Sequence, residues 1–238
     1  MTAFIESSAQ SDTANLELTS HDYDLPVDIV EGELILSIIA LGANGKDPKI
    51  TAVDNGWQIL REISDNSVNF AVLGKVASAG EVGPANLTTD VACVTAHITH
   101  RISGWAGGLS CVVVSPGFSQ KSLEPNPDLV EAGWDLTDNL FIVGTTAHRN
   151  SSVLTYPTGY VDNQISFSTG GGGNETMVAT ASQDIDSTFD NPDVFTILSS
   201  FWHIAVTIVV GPAGACEIVT FNSAYPIRQQ LRRAMFHS

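Results

Sequence analysis

Residues 50–77 read ITAVDNGWQILREISDNSVNFAVLGKVA, and residues 154–184 read LTYPTGYVDNQISFSTGGGGNETMVATASQD. Each opens on a short strand-forming run, passes a polar turn closed by Gly followed by an aromatic, and continues as two alternating strands around a second turn. Glycine supplies the positive φ that a tight turn needs, and the β-branched residues beyond it fit a pleated surface. The spacing therefore predicts two equivalent hairpins, with Gly56-Trp57 and Gly159-Tyr160 in matching places.

The match extends outward from these turns. Leu34 in GELILSIIA aligns with Leu140 in DNLFIVGTT at an offset of 140 − 34 = 106. Gly56 and Gly159 differ by 159 − 56 = 103, and Pro84 of PANLT and Pro192 of PDVFT by 192 − 84 = 108. Three matches in the same order at nearly constant spacing indicate two weakly repeated halves. Strand patterns fill both: 33–41, 57–63, 68–76 and 92–102 in the first, then 109–115, 140–148, 164–168, 176–182 and 202–210. In the last run Trp202, Ile204, Val206, Ile208 and Val210 share one face, and His203, Ala205, Thr207 and Val209 the other.

A four-stranded half would expose its inner face, so the two are expected to close on each other. The expected fold is all-β: an antiparallel two-sheet β-sandwich, jelly-roll-like, with a short C-terminal helix or arm. Residues 1–28 are expected as an N-terminal arm or edge strand and 29–212 as the sandwich. Within it, 29–102 is the first half, 103–135 a Gly- and Pro-rich crossover and 136–212 the second half. Residues 213–238 form a basic arm. Its end, AYPIRQQLRRAMFHS, spaces Ile227, Leu231 and Met235 at helical intervals after Pro226.

Of the 238 residues, 43% are hydrophobic and only 15% charged, enough apolar mass for a sizeable core. The formal net charge of −16 repels phosphate backbones and anionic lipid, so neither nucleic acid nor membrane is expected as a partner. Three of the ten basic residues, Arg228, Arg232 and Arg233, lie in the last eleven positions. The N-terminus carries neither the basic nor the apolar segment of a secretion signal.

Residues able to do chemistry are scattered. The sequence contains no GxSxG, GxxxxGK[ST], GxGxxG or HExxH, and Gly170–Gly173 is followed by a strand pattern rather than a helix. His97 and His100 fall three apart on a strand and so point to opposite faces, unable to share one ion. Asp184, Asp186, Asp190 and Asp193 lack the glycine and closing glutamate of a calcium loop and are expected as a solvated acidic loop. Cys93, Cys111 and Cys216 have no ligand spacing and are expected as buried free thiols of a protein folded in a reducing cytoplasm. No catalytic, metal or cofactor residue is expected. Trp57, Trp105, Trp134 and Tyr160 lie near turns, where aromatics either line a sugar groove or enter the core; the repeat favours the core for Trp57 and Tyr160.

The succession EGELILSIIALGANGKDPKITAVDNGWQIL, NFAVLGKVASAGEVGPANLT, DNLFIVGTTAH, LTYPTGY and PDVFTILSSFWHIAVTIVVGP resembles a family of β-sandwich virion proteins from tailed bacteriophages of aquatic bacteria. The resemblance spans roughly residues 29–212 and departs at the first turn, where AVDNGW stands for the family's Pro-Ser-Gly-Trp form. It implies a non-enzymatic structural protein located in the virion and made in the host cytoplasm. The expected role is a capsid decoration (cement) protein whose partner is the major capsid protein, assembling as a homo-oligomer. The alternative is a tail adaptor or a fibre/spike subunit with glycan-binding loops and tail proteins as partners. Under the decoration reading residues 1–28 and 213–238 are the expected anchoring arms, with Arg228, Leu231, Arg232, Arg233 and Met235 as the anchoring residues.

Overall fold

The computed structural model describes residues 2–216 apart from 14–15, 44, 66–67, 150 and 169–173. The first half forms β1 (Phe4–Asp12), β2 (Leu18–Tyr23), β3 (Leu34–Gly42), β4 (Ile50–Val53), β5 (Gln58–Asp65), β6 (Val68–Val76) and β7 (Ala85–Ser103). A 3-10 turn at Leu109–Cys111 leads into β8 (Val112–Val114), β9 (Phe118–Ser122), β10 (Val130–Glu131) and β11 (Asp138–His148). There follow β12 (Val153–Thr155), β13 (Val161–Phe167), β14 (Thr176–Asp186), β15 (Phe189–Asp190), β16 (Thr196–Ile197) and β17 (Phe201–Val210).

The protein is the expected all-β two-sheet sandwich, and every strand pairing is antiparallel. One sheet runs β1-β7-β3-β6-β5, the other β13-β14-β11-β17-β8, with β9 beside β8 on β17. The jelly-roll expectation is corrected in its connectivity: each half builds a whole sheet and no strand passes from one sheet to the other, whereas a jelly roll's chain crosses between them. The order β7-β3-β6-β5 recurs as β17-β11-β14-β13, so the weak repeat in sequence is a repeat of topology.

The repeat holds residue by residue. Gly56 and Gly159 adopt φ of 85° and 86°, and Trp57 and Tyr160 donate their amides to the Asp54 and Pro157 carbonyls in the same four-residue turn. Trp57 is 6% and Tyr160 7% exposed, each packed on the outer face of its own sheet. Leu87 and Phe195, three positions after the matched prolines, are fully buried in those same outer clusters.

Both sheets are therefore covered on both faces. Between them lies the main core, where Leu36, Ile38, Phe70, Val72 and Ile98 meet Leu140, Ile142, Val178, Val206 and Ile208. The N-terminal part of β7 turns away to pair with β2 and β4, and this flap closes over Ile35, Ile39 and Leu73. The residues around β10, β12, β15 and β16 close likewise over Phe141, Val143 and Val209. This double covering explains why LILSIIALG in β3 reads as an unbroken apolar run. Alternation there separates two cores rather than core from solvent.

The sheets come close enough at β11 that a Cβ on Gly144 would stand 3.1 Å from the Phe70 ring. Polar contacts close both edges. Gln10 donates to Gln164 at 2.5 Å and the Ser166 hydroxyl to the Ser11 carbonyl at 3.1 Å, joining β1 to β13. On the far side Arg61 Nε donates to the Pro116 carbonyl at 3.0 Å. The segment expected as an arm or edge strand contributes β1, at the edge of the first sheet, and β2 in the flap. The expected crossover contributes β8 and β9, which extend the second sheet along β17.

Candidate functional site

The chemistry-bearing side chains sort into three places. The first lies beneath β2, where β7 changes partners. His21 Nε2 stands 3.3 Å from the Thr89 hydroxyl and 3.5 Å from Cys93 Sγ, and its Nδ1 3.5 Å from Thr95 Oγ1. Thr95 Oγ1 also meets His97 Nε2 at 2.6 Å, and the Tyr23 ring stacks on His97 with centroids 5.4 Å apart. Burial dominates the electrostatics. It pushes His21 down to about 4 and His97 down to about 3, and raises the Cys93 thiol to about 11. Burial likewise raises the Tyr23 phenol above its ordinary value. At neutral pH the group is uncharged throughout, a hydrogen-bonded plug rather than an acid–base pair.

The second place is the interface between the sheets. His100 Nδ1 contacts the Ser8 hydroxyl at 2.7 Å and its Nε2 the Thr180 hydroxyl at 3.1 Å, linking the two sheets across the core. Burial takes it down to about 4. As the strand period requires, His97 and His100 serve opposite faces of β7. On β17 His203 is buried and lowered by burial, with Nδ1 at 3.1 Å from the Phe201 carbonyl.

The third is the end of the sandwich where the chain leaves it. Trp105 donates its indole N–H to the Gly32 carbonyl at 2.9 Å and bridges Pro212 in an antiparallel pair. Cys111 and Cys216 form a disulfide beside them, across 105 residues of sequence. An open depression here is lined by Leu136, Thr137, Asp138, Pro212 and Ala213. Nearby, Arg101 forks onto Glu33 with contacts of 2.6 and 3.0 Å, and Lys75 reaches Glu81 at 2.8 Å. Burial by itself raises the Glu33 carboxyl, but Arg101 and the Val30 amide outweigh it and hold the group below its usual range.

Several expectations are corrected. Two of the three cysteines are paired and only Cys93 is a free buried thiol, so the expectation of three free thiols, and of a reducing compartment drawn from it, loses its ground. A pairing across 105 residues leaves no local spacing to read. The expected acidic loop is half strand, and Asp193 alone of its four aspartates lies in a loop, exposed as expected. Asp184 and Asp186 end β14, and Asp190 in β15 accepts from the Tyr160 hydroxyl and from Gln183 at 3.2 Å. Burial and the neighbouring Asp162 raise the Asp184 carboxyl. The repeat's placement of Trp57 and Tyr160 in the core holds, Trp105 is buried as they are, and the half-buried Trp134 donates its N–H to Asn139 at 2.8 Å.

Arg228, Leu231, Arg232, Arg233 and Met235 lie outside the described residues, as does the Gly170–Gly173 run. Among the described residues no three His, Cys, Asp or Glu side chains are placed to hold a metal, and no helix is long and apolar enough to cross a membrane. No protein-family model, curated protein or solved structure matches this chain.

Proposed function

We propose that this chain is a non-enzymatic virion structural protein, a capsid decoration protein bound on the outside of the head. The observation that carries the structural half of this reading is the use made of its reactive side chains. His21, His97, His100 and Cys93 are spent on packing, and burial moves each away from titration near neutral pH, the opposite of the tuning a catalyst needs. A block covered on both faces of both sheets presents its ends and edges to partners. The turn-and-strand resemblance to phage sandwich proteins supports the virion half. The inward packing of Trp57, Trp105 and Tyr160 weighs against the glycan-binding alternative.

In this reading the partner is the major capsid protein, approached by a homo-oligomer, and Arg228, Leu231, Arg232, Arg233 and Met235 supply basic and apolar contacts to an acidic shell surface. The test is the copy number of the chain per purified particle, by quantitative mass spectrometry. A number comparable with the capsid protein is expected. A small multiple of a tail symmetry number would replace decoration by a tail role, and absence from particles would end the virion reading. Deleting residues 226–238 should release the protein from the shell with the sandwich intact, and full retention would refute the anchoring role.

A further inference from the structure

Beyond β17 the chain is fastened to the sandwich outside both sheets. Residues 211–216 lie against residues 104–111, the linker that joins the first sheet to the second. Ala106 donates to the Gly211 carbonyl at 3.0 Å, Ala213 to the Gly104 carbonyl at 3.0 Å and Gly211 to the Cys111 carbonyl at 2.9 Å. Trp105, buried as part of the main core, pairs with Pro212. The Cys111–Cys216 disulfide is the one covalent bond across this contact.

The two sulfurs are not equivalent. Cys111 is 1% exposed, whereas Cys216 is half-buried and follows Ala213 and Gly214, both exposed. A thiolate arriving from solvent therefore meets the Cys216 sulfur first. Attack there breaks the S–S bond and leaves a mixed disulfide on Cys216. The electron pair goes to the Cys111 sulfur, which takes up a proton. The second thiol of a dithiol reductant then displaces Cys216 as a thiol and closes the reductant into its own disulfide, so two electrons and two protons pass to the protein. Cys93 lies fully buried in the outer core of the first sheet, away from this end, and offers the exchange no third thiol.

We propose that Cys111–Cys216 is a redox-operated clasp: oxidised, it fastens residues 211–216 over the linker beside Trp105, and reduced by a dithiol it lets them open while both sheets stay folded. With the bond closed, 211–216 is pinned at one end by β17 and at the other by Cys111. With it cut, only backbone hydrogen bonds and the Pro212 contact hold the segment to the linker, and such peripheral segments open locally. The sheets do not depend on it. Their ladders end at Val210, and the packing of Ile38 and Phe70 on Ile142 and Val206 lies between them. The clasp thus answers to its compartment, open where dithiols keep cysteines reduced and closed in an oxidising medium. It does so whether or not the chain belongs to a virion.

NMR of the isotope-labelled full chain, before and after dithiothreitol, tests this. The amides of Ala106, Gly211 and Ala213 are expected to shift on reduction and to exchange with water about ten-fold faster or more, on a seconds timescale too short for global unfolding to contribute. Amides of β3 and β11 should keep their shifts, and reoxidation should restore the original spectrum. Cys216→Ser should show the reduced pattern without reductant. Brief treatment with 2-mercaptoethanol, quenched in acid, should leave the mixed disulfide on Cys216, and finding it on Cys111 would overturn the assigned point of entry. A disulfide that resists dithiothreitol in the folded protein would overturn the proposal, as would unchanged shifts at the three amides after reduction. Loss of the β3 and β11 signals along with them would overturn it too, by making the bond a staple of the whole sandwich.

Discussion

Acidification should destabilise this protein well before its carboxylates titrate, because histidines buried neutral must be charged when the chain unfolds. His97 and His100 are fully buried, with folded values of about 3 and about 4. In the unfolded chain both return to about 6.5. The folded values are depressed, so their contribution is complete above pH 6.5 and is lost as the pH falls toward 4 for His100 and toward 3 for His97. At pH 5.0 the unfolded state gains about RT ln(1 + 10^1.5), or about 2 kcal/mol, per histidine, while the folded state gains almost nothing. Two such residues give about 4 kcal/mol between pH 7.5 and 5.0, and His21, depressed to about 4, adds in the same direction. With a urea slope of about 2.5 kcal/mol per molar for a domain of this size, the midpoint should fall by about 1.5 M. Replacing His100 by Gln keeps donor and acceptor groups between Ser8 and Thr180 but removes the titration, and should cut the pH-dependent loss by about 2 kcal/mol. Urea unfolding followed by Trp fluorescence at the two pH values measures both. A midpoint unchanged or higher at pH 5.0, or an undiminished loss in His100→Gln, would refute the assignment of neutral buried imidazoles.

Other perturbations probe the remaining contacts. Gly144→Val places side-chain atoms against the Phe70 ring, where even a Cβ would stand at 3.1 Å, and should cost about 1–3 kcal/mol by thermal or urea unfolding. Arg101→Ala leaves the Glu33 carboxylate without its fork and should cost about 2 kcal/mol at pH 7, with Arg101→Lys in between. Because Glu33 is held below its usual range, that penalty should shrink as the pH falls below the ordinary carboxylate value. Cys216→Ser opens a loop of 105 residues and should lower global stability by up to about 4.8 kcal/mol on the chain-entropy relation. A reducing agent should produce the same shift in wild type and none in the variant.

Much of the fold was legible because strand patterning and turn chemistry are local. Gly56-Trp57 and Gly159-Tyr160 announced equivalent turns, and the fold gives them nearly identical φ and equivalent burial. The two faces of β17 were also readable, though not as inside and outside. Trp202, Ile204, Val206, Ile208 and Val210 meet the other sheet, while Val209 on the opposite face enters the outer core and His203 and Thr207 are buried with it. What was hidden depends on who covers whom. No periodicity says that 118–122 will extend β17, that Cys111 will meet Cys216, or that His100 will sit between Ser8 and Thr180. These are contacts between residues 79 or more positions apart, chosen by packing.

The division of strands between the sheets has a consequence for how the chain can be cut and rejoined. All ladders of the first sheet are built from residues before Gly104 and all ladders of the second from residues after Gly108, so one short, partly exposed loop is the sole covalent passage between them. Opening the backbone at Gly107, where φ is 84° and nothing lies within 4 Å of an added Cβ, breaks no strand pairing. Two polypeptides divided there would each carry a complete sheet with its own outer cover. They should reassemble across the apolar face now shared by Ile38, Phe70, Ile142 and Val206, as the subunits of a heterodimer do.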